Sequence, residues 1–383
     1  MTRCDAVVVG GGPAGSTCAR LLRRAGWDVV VIDKASFPRD KVCAGWLTPG
    51  AFAQLELAPA EYRAAGLTLE AITRFRTSVT GRPAVETIYD EVVSYAVRRC
   101  EFDHFLLQRA RARVVENFPA RTFRRRENEW IVNESVAAPV VVGAGGHFCP
   151  VARYLRGGAG AGQPVVAPDR HQPVVAKEAE FRLPAADAAA MTERSPELFF
   201  CRDLRGYGWC VRKGEYLNVG IGRRDPSGFA DHVRAFIDML VARGTLAADC
   251  DLPWRGHAYF AAGVGARPIV GDGMLLIGDA AGLAYPESGE GIAPAIESGV
   301  LAARTLIEAR GSYRMASLAG YSLSLLRQHP PVSESALQST AAYAAAARAL
   351  LRSRTFTRRV LLDRWFLRRD RSTPPLSAAA GLT

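Results

Sequence analysis

None of the eight cysteines (Cys4, Cys18, Cys43, Cys100, Cys149, Cys201, Cys210, Cys250) stands in a C-x-x-C pair. Their scatter is that of neither a zinc site nor a disulfide framework, so reduced thiols and no bound metal are expected. No uninterrupted apolar run reaches the roughly 20 residues that cross a bilayer, and no charged-then-apolar leader precedes the first hydrophobic stretch. A cytoplasmic protein is the default expectation, with integral membrane insertion set aside and peripheral contact left open. Acidic residues are in deficit, 38 against 49 basic ones, for a formal charge of +11. The excess lies in arginine clusters at 121–126 and between Arg352 and Arg371, where eight arginines meet two aspartates. Such an excess suits nucleic acid, a membrane surface or an acidic substrate. No nucleic-acid motif accompanies it, so solvated arginine faces are expected and nucleic acid is not a partner. Of the six histidines, His147 and His257 are lone residues and read as structural rather than as proton donors.

What is present begins at the amino terminus. The chain has 383 residues, 49% of them hydrophobic, enough for a large core in two closely joined domains. Val7-Val8-Val9 breaks into Gly10-Gly11-Gly12-Pro13-Ala14-Gly15 and opens onto Ser16-Thr17-Cys18-Ala19-Arg20-Leu21-Leu22, a strand, a tight turn and a helix start. Gly10, Gly12 and Gly15 match G-x-G-x-x-G, in which the glycines permit the turn, the approach of a pyrophosphate and close helix–strand packing. The free N–H groups and dipole of the helix then face the phosphates. A second apolar strand, residues 27–32, ends in Asp33, about where a ribose-binding carboxylate belongs. The motif alone leaves FAD and NAD(P) open.

The loop from Lys34 to Trp46 is polar and turn-rich and leads back across the nucleotide. Lys41 or Arg39 there suits a phosphate or ribose, and Cys43 the approach of a flavin ring; a surface lysine and an inert thiol are the alternatives. Residues 50–90 carry little chemistry. Residues 92–97 read as a strand and lead into a helix with Phe102, Phe105, Leu106 and Ala110 at helical spacing, Glu101 and Asp103 suiting its start. Residues 138–146 form another buried strand ending in glycines. From 173 to 222, short strands at 174–181, 198–201, 209–212 and 216–221 are separated by turns, the pattern of an antiparallel sheet. Residues 226–243 read as a helix with ordinary core positions. A second strong signal follows: a strand at 274–277 delivers Gly278-Asp279-Ala280-Ala281-Gly282 into a loop, and after Pro286-Glu287-Ser288-Gly289-Glu290 a helix begins near Gly291 and Ile292. Small residues there let a ligand lie on the backbone, Asp279 suits sugar-alcohol hydroxyls, and the helix start suits the negative charge of a reduced flavin.

These residues resemble the flavoprotein superfamily that includes para-hydroxybenzoate hydroxylase, and within it the geranylgeranyl reductase family. The glycine motif, the stretch from Arg98 to Asp103 and the Gly278-Asp279 motif cover both ends of an FAD domain. The resemblance implies FAD as cofactor, held by Gly10, Gly12, Pro13, Ala14, Gly15, Asp33, Lys34, Lys41, Cys43, Arg98, Gly278, Asp279, Gly289, Gly291 and Ile292. In it Asp33 takes the adenosine ribose, Arg98 the flavin's phosphate side and Asp279 the ribityl chain. Lys41-Val42-Cys43 resembles the K-x-C loop of the reductase branch, Tyr207-x-Trp209 with Lys213-Gly214 its Y-x-W-x-F-P-K-G segment, and residues 218–222 the following strand. Val211 and Arg212 replace the usual Phe-Pro and Ala44 a usual glycine. Gly143-Ala144-Gly145-Gly146 lacks the acid of the hydroxylases' Gly-Ala-Asp-Gly motif, which argues against direct hydroxylase-style reduction by NAD(P)H and leaves NAD(P)H or another external donor as the indirect electron source. The absence of W-x-W-x-x-P argues against a halogenase.

The resulting expectation is an α/β protein: a Rossmann-like FAD-binding domain (residues 1–165 and 263–330), an inserted, mostly antiparallel substrate domain (166–262, with part of 50–100 contributing) and a helical carboxy-terminal region (331–383). The expected activity is reduction of carbon–carbon double bonds in an extended apolar, isoprenoid-like substrate. The alternatives are an FAD monooxygenase acting on an aromatic or polyketide-like compound and a flavin electron carrier; the inserted sheet disfavours the carrier. No catalytic residue is identified, Cys43, Tyr207 and Trp209 being the candidates near the flavin. Tyr207, Trp209 and Tyr285 are the substrate-binding candidates; with Tyr259 and Phe260 they line an apolar tunnel or else form ordinary core. In the tail, placing Phe356, Val360, Leu361, Trp365, Phe366 and the arginines at 100° per residue scatters both kinds around the axis, so packing against the body is expected over a membrane-lying stripe.

Overall fold

The unalternated apolar runs at Ala6–Val9, Val29–Ile32 and Val140–Gly143 become adjacent parallel strands, as runs buried on both faces must. The computed structural model describes residues 1–157, 174–184, 195–248, 251–259, 268–330 and 341–369. It is a mixed α/β fold that divides into two units, one of Met1–Asp40, Cys100–His171 and Tyr259–Val332, the other of Lys41–Arg99, Gln172–Ala258 and Ser333–Thr383.

In the first unit, six strands lie in the order Val270–Gly271, Met274–Leu276, Val140–Gly143, Ala6–Val9, Val29–Ile32, Arg113–Val115. All but the first edge strand run parallel, so the chain leaves the carboxyl ends of three neighbouring strands at Gly10, Asp33 and Ala144, the edge where open α/β sheets bind ligands. The helices Pro13–Arg24 and Ile292–Glu308 pack against each other through Gly299, where an added Cβ would lie 2.6 Å from the Ala14 carbonyl oxygen. A four-stranded sheet, Thr2–Arg3, Val136–Ala138, Glu129–Val132 and Phe123–Arg126, holds Arg124, Arg125 and Arg126 in solvent.

The second unit is built on seven strands in the order Arg255–Tyr259, Val174–Arg182, Tyr216–Arg223, Gly206–Lys213, Glu197–Phe200, Arg74–Val79, Val85–Ile88. Its alternating residues sort to two faces. Ala179, Phe199, Cys210, Val219 and Ile221 pack under Val233, Phe236 and Leu240 of the helix Phe229–Ala242. The opposite face gathers Leu198, Trp209 and Val211 with Phe75, Trp46, Leu361, Leu362 and Phe366. Residues 50–90, unremarkable as sequence, supply Arg74–Val79, which pairs in parallel with Glu197–Phe200. That partner is over 100 residues away, and nothing local announces it. A three-stranded sheet, Trp46–Leu47, Ser94–Val97 and Leu69–Ile72, completes this unit.

The tail corrects the 100° reading. After the helix Ala341–Leu350, residues Thr357–Phe366 wind as a π-helix, with Thr357, Leu361, Leu362 and Phe366 buried at spacings of four and five. A wider turn brings these four onto one side, while Phe356, Val360 and Trp365 remain half-buried. Among the described residues no disulfide forms, all seven described cysteines being free, and no helix is long and apolar enough to cross a membrane. Phe260 lies outside the described residues.

Candidate functional site

The glycine turn of the first unit has a shape that only glycine allows. Gly10 has φ +117°, and a Cβ on it would fall on the Ala144 carbonyl; a Cβ on Gly15 would fall on the carbonyl oxygen of Gly10. The Gly11 N–H donates to Asp33 Oδ2 at 2.7 Å and the Ala35 N–H to Oδ1 at 2.9 Å, so Asp33 ties the two strand ends together. Ser16 Oγ donates to the Gly11 carbonyl at 2.9 Å. The helix Pro13–Arg24 begins with proline, with no side-chain cap and no acid in its first turn, which suits a phosphate. Arg39 lies beside Gly12, 3.3 Å from the position of an added Cβ, and pairs at 3.3 Å with Asp103, which is fully buried. Asp103 is thus a buried counter-ion rather than an acid at a solvated helix start. Lys34 is exposed.

The second cradle of this unit forms around Gly278, whose N–H donates to Ser298 Oγ at 2.9 Å. Asp279 sits in the 3-10 turn Gly278–Ala281, with Oδ1 only 3.1 Å from where a Cβ on Gly291 would stand. Gly291 caps the helix Ile292–Glu308, and Glu290 accepts from the Ala293 N–H at 2.8 Å. The loop is closed by hydrogen bonds from Gly289 N–H to the Tyr285 carbonyl (2.7 Å) and from Tyr285 N–H to the Glu290 carbonyl (2.9 Å). Glu290 therefore already occupies part of the helix start that the sequence reading left for flavin charge. Tyr285 stacks on His329 at 5.6 Å, its hydroxyl 3.3 Å from Glu297. Two glycine-lined cradles, each beside a helix start and an aspartate, fit the two ends of a dinucleotide.

The second unit holds a polar cluster that sequence reading passed over. Glu178 and Glu180 lie two apart on one strand; Asn218 is directly opposite Glu180, and Trp209, Val211 and Lys213 share that face on the next strand. Lys213, with a fully buried side chain, donates to Glu180 Oε2 at 2.7 Å, and Arg98 donates to Oε1 at 3.1 Å while lying 3.6 Å over the Tyr216 ring. Asn218 accepts from Trp209 Nε1 at 2.7 Å, and its amide donates to Glu180 (3.2 Å) and more distantly to Glu178 (3.4 Å). The Cys43 N–H donates to Glu178 at 2.6 Å, and the Cys43 sulfur accepts from the Gly45 N–H at 3.3 Å. Lys41 meets His257 at 2.7 Å, so His257 is not a lone residue. Tyr207 packs on Trp209 at 6.1 Å and edge-on to Phe366 at 5.5 Å. Of the sequence candidates, Lys41, Cys43, Arg98, Tyr207 and Trp209 thus stand in the second unit and Tyr285 in the first. Among the described residues no group of side chains could hold a metal ion. The available signal was the alternation Glu178-x-Glu180 together with the two-residue hairpin that sets the strand of Lys213 beside that of Asn218, which has meaning only once the register is known.

Burial pushes the Glu178 carboxyl up to about 7, with the Glu180 charge adding and Lys213, the Cys43 N–H and Asn218 opposing. Burial acts the same way on Glu180, but Lys213, Asn218 and Arg98 outweigh it and hold that carboxyl below its usual range. The folded protein therefore binds more protons at Glu178 than the unfolded chain between about 4.5 and about 7. The stability this group contributes is full below the first value and lost as pH rises through the second. Glu178→Gln keeps the neutral form at every pH, so relative to wild type it should gain roughly 3 kcal/mol between about pH 5 and pH 8. Urea melts at the two pH values measure this; a gap unchanged with pH would contradict it.

A sheet with this connectivity and two such cradles defines a dinucleotide-binding redox protein. Residues 5–104 match the FAD dependent oxidoreductase family. The menaquinone reductase of Mycobacterium tuberculosis is 30% identical over 342 residues, covering 79% of this chain and 76% of that one. A digeranylgeranylglycerophospholipid reductase of Methanopyrus kandleri is 27% identical over 338 residues, 80% of each chain. The solved structure of a geranylgeranyl bacteriochlorophyll reductase-like protein from Thermoplasma acidophilum superposes with a TM-score of 0.70 at 22% identity, covering 92% of this chain and 88% of that one. The chain belongs to the geranylgeranyl reductase family of FAD-dependent oxidoreductases.

Proposed function

We propose that this enzyme saturates carbon–carbon double bonds of an extended apolar, isoprenoid-like substrate. The observation that carries the reading is one sheet face in the second unit, where the rings of Tyr207 and Trp209 continue through Asn218 into Glu178, a buried carboxyl with a pKa of about 7. An aromatic wall that ends in a group holding a proton at neutral pH suits reduction of an alkene, which needs a hydride and a proton. The names of two relatives, which specify isoprenoid-bearing substrates, support the same choice.

In this reading Gly10, Gly12, Pro13, Ala14, Gly15 and Asp33 hold one end of FAD, and Gly278, Asp279, Gly289, Gly291 and Ile292 the other, with Lys34, Lys41, Cys43 and Arg98 assigned to it from sequence. When bound and reduced, FAD supplies hydride from its ring nitrogen N5. Tyr207 and Trp209 orient the chain and exclude water. Glu178 keeps the proton on its carboxyl, steadied by the Cys43 N–H and Asn218, and Arg98 and Lys213 hold Glu180 ionised so that the pair carries a single negative charge. An external donor reduces the flavin. The test is anaerobic: reduce the purified protein, add polyprenyl or aromatic candidates, and follow flavin reoxidation together with product mass. A product two hydrogens heavier without oxygen is expected. Reoxidation only after air is admitted, with oxygen in the product, overturns the reading in favour of a monooxygenase.

A further inference from the structure

The π-helical turn of the tail sorts its side chains by sign. Its inner side carries Leu361, Leu362 and Phe366 into the core, with Phe366 against Tyr207 and 5.8 Å from Trp46. Four arginines of the tail are exposed and have no carboxylate partner among the described residues: Arg352 and Arg354 just before the π-helical segment, and Arg359 and Arg364 within it. Arg359 and Arg364 stand five apart within the π-helix, the same spacing that separates the buried Leu361 and Phe366, so they lie on neighbouring turns. Elsewhere in the protein exposed arginines commonly have partners: Arg74 has Glu86, Arg124 has Glu134, Arg182 has Glu215, and even Arg369, just beyond the turn, has Glu91. Beside these arginines lie Leu350, 47% exposed, and Phe356 and Trp365, edge-on at 6.1 Å, which pack on the core with one side and stay half-buried.

We infer that this face docks on an anionic lipid bilayer. Unpaired arginines attract acidic headgroups, while leucine and indole side chains sit at the boundary between headgroup and acyl chain. Nucleic acid would use the charge but not the exposed Leu350 or the half-buried Trp365. The same turn touches Tyr207 on its inner side, so docking brings the bilayer within one helix thickness of the aromatic residues assigned to the substrate. The docking itself does not depend on that assignment, because it is read by binding alone.

The test is sedimentation of the full-length holoenzyme with vesicles of phosphatidylcholine alone or mixed with phosphatidylglycerol, at low and high salt. Wild type is expected to bind the anionic vesicles at low salt, to leave them at high salt and to ignore the neutral ones. Each arginine contributes roughly a fivefold change in partitioning, so the Arg352→Gln, Arg354→Gln, Arg359→Gln, Arg364→Gln variant should lose on the order of several hundred-fold. The Arg124→Gln, Arg126→Gln variant, altered on another exposed arginine strip, should bind as wild type. Flavin content and far-ultraviolet circular dichroism equal to wild type confirm that each variant is folded. Equal binding by wild type and the fourfold variant overturns the inference. So does salt-insensitive binding to neutral vesicles, or tighter binding of a DNA duplex than of anionic vesicles at the same salt.

Discussion

Gly15→Ala is expected to yield a protein that purifies without most of its FAD. The added methyl would fall on the Gly10 carbonyl oxygen and lie 3.1 Å from the Ala144 Cβ. Neither neighbour can yield: Gly10 N–H is bonded to the Ile32 carbonyl and Ala144 N–H to the Val9 carbonyl, each at 2.8 Å, so both are pinned to the central strands. The helix Pro13–Arg24 must then move off the sheet, and its first-turn N–H groups go with it. A phosphate held by backbone donors loses several hydrogen bonds at once when those donors shift by even about 1 Å. The flavin absorbance of the purified variant and the FAD released on denaturation measure the effect. Gly320→Ala is the control, since Gly320 is exposed in the helix Met315–Gln328 with nothing within 4 Å of an added Cβ. It should keep full flavin and gain up to about 1 kcal/mol of stability. Full flavin content in Gly15→Ala would refute the steric account.

Lys213→Met should be the most destabilising change in the second unit. The Lys213 side chain is fully buried and its ammonium lies 2.7 Å from Glu180, itself beside Glu178. Removing the lysine leaves buried carboxylate charge with only Arg98 and Asn218 to answer it, and breaking one side of a buried pair costs about 3–5 kcal/mol. Pairing it with Glu180→Gln removes the stranded charge, so the double variant should recover much of the loss, although Arg98 then lacks its carboxylate. Urea midpoints of the single and double variants decide the matter. A loss of less than about 1 kcal/mol in Lys213→Met, the range of an exposed pair, would mean that solvent reaches the cluster.

Both variants act on features that differ in how they could be read. The strand, turn and helix at Gly10 to Gly15 are local: three glycines, a proline and a run of valines prescribe the backbone within about ten residues, and the acid at 33 follows one βαβ step later. The loop at Gly278 and the helix start at Gly291 are local in the same way. The buried pairing of Arg39 with Asp103 was not legible, because Asp103 stands in a helix start where an acid has an ordinary explanation of its own.

What the amino-acid sequence by itself determined, then, is the pair of glycine-lined turns, the two kinds of sheet and the family, since each rests on short-range conformational rules or on residues adjacent in the chain. The cluster of Glu178, Glu180, Lys213, Asn218 and Arg98 was decided only by tertiary structure. Side-chain direction along a strand alternates, so which residues meet depends on the register among three strands, and a slip of one residue in any of them would turn its share of Glu178, Glu180, Lys213 and Asn218 to the other face. The placing of Arg359 and Arg364 opposite the buried side of the tail was likewise invisible at 100° per residue. Packing of Leu361, Leu362 and Phe366 on the sheet accompanies a wider helical turn, and with it Arg359 and Arg364 separate from those three side chains.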